Sequence, residues 1–151
     1  MRQRPAFRRL LGPAAALALL PVLPQLLVPR AVKAAPPPSA AVRDLLTRDL
    51  AGVEGKEIRL LTVEYPPGAS SLPHRHNAQV IVYVLEGSVR MKVEGSPAVT
   101  LGPGETFVEG PDDVHTVSAN ASRTRPARIL VFMVKSKTAP VSVPVSPAVQ
   151  P

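Results

Sequence analysis

From Lys56 to Val134 apolar and polar residues alternate in short runs, and every run stops at turn chemistry. A period of two puts successive side chains on opposite faces of a strand, so it predicts strands with one buried face. The runs fall at Glu57–Tyr65, Gln79–Leu85, Ser88–Glu94, Ala98–Leu101, Thr106–Val108, His115–Ser118 and Arg128–Val134. Between them stand Pro66-Pro67-Gly68, Glu86-Gly87-Ser88, Gly95-Ser96-Pro97 and Gly102-Pro103-Gly104, where proline presets φ and glycine accepts the left-handed region. Many short strands with close turn signals predict an all-β, antiparallel sandwich or barrel.

The flanks read differently. Val42, Leu45, Leu46 and Leu50 recur at helical spacing and Gly52 supplies a stop, so a short N-terminal helix is predicted ahead of the strands. Residues 35–41 (APPPSAA) form a proline-rich linker, residues 42–135 the folded domain, and residues 136–151 a proline-rich tail with almost no bulky side chains, expected to be disordered or polyproline-like. Residues 1–34 begin with a basic segment to Arg9, continue apolar from Leu10 to about Val28 and end on the small-residue site Val32-Lys33-Ala34. That order is an export signal peptide, which predicts a periplasmic or secreted protein. A membrane anchor is the alternative, but Pro13, Pro21, Pro24 and Pro29 interrupt the ~20 apolar residues a spanning helix needs. Arg8-Arg9-Leu10-Leu11 matches part of a twin-arginine signal, which leaves the export route open.

Charge excludes one class of partner. The chain carries a formal +7 with pI near 10.6, as a nucleic-acid binder would. Six of its 18 basic residues lie in residues 1–34, which hold no acid; 12 basic residues then face 11 acidic ones in the remainder, close to neutral. No nucleic acid is expected as a partner, nor a membrane once the signal is cleaved. The chain has no cysteine, so thiolate ligands and disulfides are excluded and the exported domain must be held by its core.

The chain's three histidines carry the chemistry. His74 and His76 are two apart, which on a strand places them on one face about 6 to 7 Å apart at the backbone, close enough for two imidazoles to converge on one ion. His115 heads another strand behind a proline turn, in GETFVEGPDDVHTVSAN. Three neutral imidazoles suffice to hold a divalent first-row metal with water in the open positions. Val82, Val84 and Met91 are core candidates lining the interior, and Tyr83 lies on the other parity.

Together these residues resemble the cupin family. Gly68, His74, His76 and Gly87 match its first motif, and Gly104 and His115 match the second more loosely, over roughly Glu57 to Val134. The resemblance implies a double-stranded β-helix, or jelly-roll barrel, with a metal inside the barrel mouth. Two departures stand out. The family's glutamate position falls on Val80, so its usual carboxylate ligand is missing, and around His115 the proline and the asparagine, Asn120, are each displaced by one residue. Gln79 would be a fourth ligand only if the strand slipped by one; otherwise it points outward. Glu109, Asp112 and Asp113 are either second-shell acceptors for a ligand imidazole or a solvated loop.

The site residues expected are therefore His74, His76 and His115 for one divalent metal, with iron, manganese, zinc, nickel and copper all open. The partner expected is a small-molecule ligand or substrate, with a homodimer also open. Two functions follow: a metal-dependent dioxygenase or other oxidoreductase acting on a small organic molecule, and a non-catalytic module that binds a metal or small ligand.

Overall fold

The computed structural model describes residues 38–146; the predicted export signal, residues 35–37 of the linker and residues 147–151 of the tail lie outside them. The described residues form ten strands and no helix: β1 Ala41–Asp49, β2 Lys56–Tyr65, β3 His74–Arg75, β4 Ala78–Glu86, β5 Val89–Val93, β6 Val99–Leu101, β7 Thr106–Glu109, β8 His115–Asn120, β9 Ala127–Ser136 and β10 Val143–Pro144. They make two five-stranded sheets, ordered β1-β2-β9-β4-β7 and β10-β3-β8-β5-β6, in which every pairing is antiparallel.

The alternation read from the sequence decides which side chains face inward. Along β4, Ala78, Val80, Val82 and Val84 are buried while Gln79, Ile81, Tyr83 and Leu85 are exposed. Along β9 the buried set is Ala127, Ile129, Val131, Met133 and Lys135. These faces meet Leu61, Val63 and Tyr65 of β2 and Val89 and Met91 of β5 in one core. Each fully buried valine or leucine contributes about 1.5 to 3 kcal/mol by leaving water. A lysine also enters that interior. Lys135 is 2% exposed; its Nζ lies 2.6 Å from Glu57 Oε1 and also donates to the Ser136 carbonyl at 2.9 Å.

Gly87, in the β4–β5 hairpin, has φ +73°, and a Cβ there would strike the Pro126 carbonyl oxygen and Ala127. Only glycine meets both conditions. Asn120 closes the same end: its side-chain amide donates to the carbonyls of Tyr65, Pro66 and Arg125, and its Oδ1 accepts from the Ser122 amide.

Two expectations for the flanks are corrected. Residues 42–50 do not form a helix. They lie in β1, paired with β2 from Ala41↔Glu64 to Asp49↔Glu57, with a bulge between Asp44 and Leu46. All nine residues of β1 are exposed, so the helically spaced leucines have no surface against which a helix could pack, whereas the β2 edge satisfies the backbone. Arg59 of β2 fastens the pair by forking onto Asp44 at 2.9 and 2.8 Å. The tail is ordered at least to its pairing with β3: Val143 and Pro144 pair with Arg75 and His74, and the Val145 amide donates to the Pro73 carbonyl at 3.0 Å. Proline is tolerated because β10 is an edge strand.

Candidate metal centre

The three histidines meet in the second sheet. His74 of β3 is the Cα partner of His115, the first residue of β8. His76 follows β3 directly, and Asn77 then takes φ +48° to turn the chain into β4. Ring centroids lie 4.8 Å apart for His74 and His76 and 5.3 Å for His74 and His115. One ring nitrogen from each residue falls within 4.8 Å of the other two, a spacing that could hold a metal ion. Phe107 stacks on the His115 ring at 5.7 Å and fixes its plane.

Hydrogen bonds set the tautomers. His74 Nδ1 lies 2.7 Å from the Leu72 carbonyl and His76 Nδ1 lies 2.6 Å from the Val141 carbonyl. A carbonyl only accepts, so each Nδ1 carries the proton and each Nε2 presents a lone pair. Such outer partners orient metal-binding imidazoles. Burial pushes His74 below its ordinary pKa against the hydrogen bond to Leu72, which keeps the ring in the neutral form that a metal requires.

Of the acidic cluster only Glu109 enters the site. It ends β7, with Phe107 on the same inward parity, and is 2% exposed. Its Oε2 lies 3.3 Å from His115 Nδ1 and 3.8 Å from His76 Nε2. Neither approach is a hydrogen bond: Glu109 Oε2 and His115 Nε2 are both buried without a partner. Burial raises the Glu109 pKa, but the neighbouring imidazoles, His115 first, outweigh it, so the carboxyl is held below the usual range. Asp113 instead caps its own loop, accepting from the Gly110 amide at 2.7 Å, and Asp112 is exposed. Gln79 is also exposed, and its side-chain amide donates to the Glu109 carbonyl at 2.9 Å. The strand has not slipped: Val80 is fully buried on the inner face, and Gln79 is not brought to the histidines.

The histidines open on a cavity of about 280 Å³ walled by Leu61, Val63, Val82, Met91, Ile129 and Val131. Val141 and Pro144 of the C-terminal segment form part of its rim. Tyr65, Ser71 and Ser118 add a polar patch to the same cavity, with Tyr65 Oη 2.6 Å from Ser118 Oγ and 3.4 Å from Ser71 Oγ. Burial raises the Tyr65 pKa, so the hydroxyl stays protonated. Sequence reasoning missed this patch and the Val141 carbonyl. The inward parity of Tyr65 was a usable signal for the first, and the tail offered none for the second.

Comparison with known proteins agrees with this geometry. Residues 61–133 match the cupin domain family model. Among solved structures the chain is similar to the DMSP lyase DddQ from Ruegeria pomeroyi DSS-3, with TM-score 0.57 and 23% identity over 74% of this chain and 54% of that one. It is similar to an oxalate oxidase in complex with the substrate analogue glycolate, with TM-score 0.55 and 26% identity over 70% of this chain and 55% of that one. It is also similar to a cupin domain from Bordetella pertussis Tohama I, with TM-score 0.53 and 20% identity over 68% of this chain and 100% of that one. No curated protein matches the sequence. Residues 61–133 are thus a cupin domain. It spans about half the length of the lyase and the oxidase.

Proposed function

We propose that this cupin domain holds one divalent first-row metal ion on His74, His76 and His115 and acts there as an oxidoreductase on a small organic molecule seated in the cavity. The observation that carries the reading is the locked pair of tautomers: the Leu72 and Val141 carbonyls take the Nδ1 protons, and ring nitrogens of three histidines converge where the cavity begins. When bound, the metal supplies Lewis acidity and a place to bind and activate substrate or dioxygen. The chain's own part is to orient the imidazoles, exclude water with the aliphatic walls, and offer the Tyr65 hydroxyl to a polar group of the ligand. The likeness to an oxalate oxidase supports redox chemistry. Glu109 is the sole carboxylic side chain among the described cavity-lining residues, which include no lysine or arginine. With no lysine or arginine to meet a second acidic group, the favoured substrate carries one metal-binding group on an apolar body. The order of residues 1–34 supports action in the periplasm or outside the cell.

The competing reading is capture without turnover. It is favoured by the mutual satisfaction of the Tyr65 and Ser118 hydroxyls, which leaves few free groups to move a proton. Oxygen-uptake screening of protein reconstituted with each candidate metal, against a panel of small hydroxy, keto and unsaturated acids, separates the two. Metal-dependent oxygen consumption that His76→Ala abolishes supports the enzyme; saturable ligand binding with no consumption under any metal supports the binding module.

A further inference from the structure

The family's carboxylate position is apolar here, yet a carboxylate stands one rung away. Val80 of β4 has Glu109 of β7 as its direct Cα partner. Both side chains point inward, Val80 fully buried and Glu109 2% exposed. The Gln79 side-chain amide, bonded to the Glu109 carbonyl at 2.9 Å, pins the two strands at this rung.

The contacts of Glu109 Oε2 decide what it does. An acceptor that merely orients a ligand imidazole receives a ring N–H. Here the His76 Nδ1 proton is already given to Val141, so the nitrogen 3.8 Å from Glu109 Oε2 is Nε2, the one that carries the lone pair in the neutral ring. A carboxylate oxygen and an imidazole lone pair facing each other repel unless a cation lies between them. The approach to His115 Nδ1 at 3.3 Å gives no hydrogen bond either, and Oε2 is buried with no other partner. A polar oxygen so buried is costly until a partner arrives. Two ligands bound to one ion at about 2.0 to 2.2 Å stand roughly 3 to 3.5 Å apart, close to both separations.

We propose that Glu109 is a direct metal ligand, so that the centre consists of three histidines and one carboxylate, with the carboxylate delivered from β7 instead of β4. This inference rests on the metal-binding reading above and adds to it a residue, a charge and a preference. The anionic oxygen lowers the net charge of a bound divalent ion by one and favours the harder ions, manganese and ferrous iron, over what three nitrogens alone would select. It also removes Glu109 as a free base, leaving Tyr65 as the titratable side chain of the cavity that touches no ligand.

The test is calorimetric titration of chelator-treated full-length protein with Mn(II), and the visible spectrum of its Co(II) form. Four proteins are compared: the parent, Glu109→Gln, the swap Val80→Glu with Glu109→Val, and His76→Ala. Glutamine keeps the shape and an accepting oxygen but loses the charge. Glu109→Gln should therefore weaken Mn(II) binding by at least about 100-fold, beyond the ~10-fold floor for an outer partner, and change the Co(II) bands. The swap returns a carboxylate to the same wall and should recover most of that loss. Glu109→Gln with Mn(II) affinity reduced by less than ~100-fold and an unchanged Co(II) spectrum would overturn the proposal, since loss of an outer partner alone costs ~10 to 100-fold. In that event, loss of metal in His76→Ala would leave the three-histidine reading standing. A parent that binds neither ion would remove both. Should the variants fail to fold, infrared difference spectra of the parent with and without Mn(II) decide: a metal-induced shift of a carboxylate stretch supports the proposal, and its absence refutes it.

Discussion

His76 holds its metal-facing nitrogen in place through a carbonyl 65 residues later in the chain, Val141. His74 does so through its near neighbour Leu72. The spacing of His74 and His76 made both legible as ligands, although the strand it implies ends at Arg75 and His76 lies just beyond it. Glu109 was harder to read. In sequence it stands beside Gly110, Pro111, Asp112 and Asp113, which look like a solvated loop, and the predicted strand stopped at Val108. β7 runs one residue further, and that residue is the one whose parity points inward. Replacing His74, His76 or His115 by alanine should each reduce metal affinity by more than the ~10 to 100-fold of an outer partner. The far-ultraviolet dichroism should stay that of a β protein, because the core does not depend on the imidazoles. Gly87→Ala should act oppositely, costing about 1 to 3 kcal/mol in denaturant unfolding through its positive φ, and more through the collision with Pro126, without touching a ligand.

At the level of elements, seven strands were legible and three were not, for one reason. β1, β3 and β10 owe their conformation to pairing partners, not to local pattern. β3 and β10 are two residues each, too short to show a period, and β10 lies in a stretch whose prolines argue against a strand. β1 shows a helical period that its exposed position on the sheet edge never uses. The C-terminal segment is part of the site, since it supplies the His76 acceptor and part of the cavity rim. Removing residues 140–151 should therefore lower metal affinity by about 10 to 100-fold, as loss of an outer partner does, while the two sheets remain folded. Deletion that leaves metal titrations unchanged would sink that role. The buried ion pair gives a second check. Glu57→Gln strands the Lys135 ammonium and should destabilise by about 3 to 5 kcal/mol, measured by chemical unfolding.

The described residues form an aliphatic barrel with a polar mouth, and the chain carries almost no net charge once residues 1–34 are set aside. Among the described residues no helix is long and apolar enough to cross a membrane. Protein lacking residues 1–34 should pass a DNA column at physiological salt without retention, since three exposed arginines, Arg123, Arg125 and Arg128, make a small patch. Metal removal should register on the whole fold: at a free metal concentration ~100 times the dissociation constant, binding adds about 2.7 kcal/mol to stability, so chelation should lower the melting temperature of the parent. It should leave that of His76→Ala unmoved. The central claim is that this barrel is built around a metal held by three histidines. Elemental analysis of the parent and His76→Ala, each purified from its native compartment, tests it most directly. The account predicts about one divalent first-row ion per folded chain in the parent and a strong loss in the variant; a folded parent without such an ion, or equal occupancy in both, would contradict it.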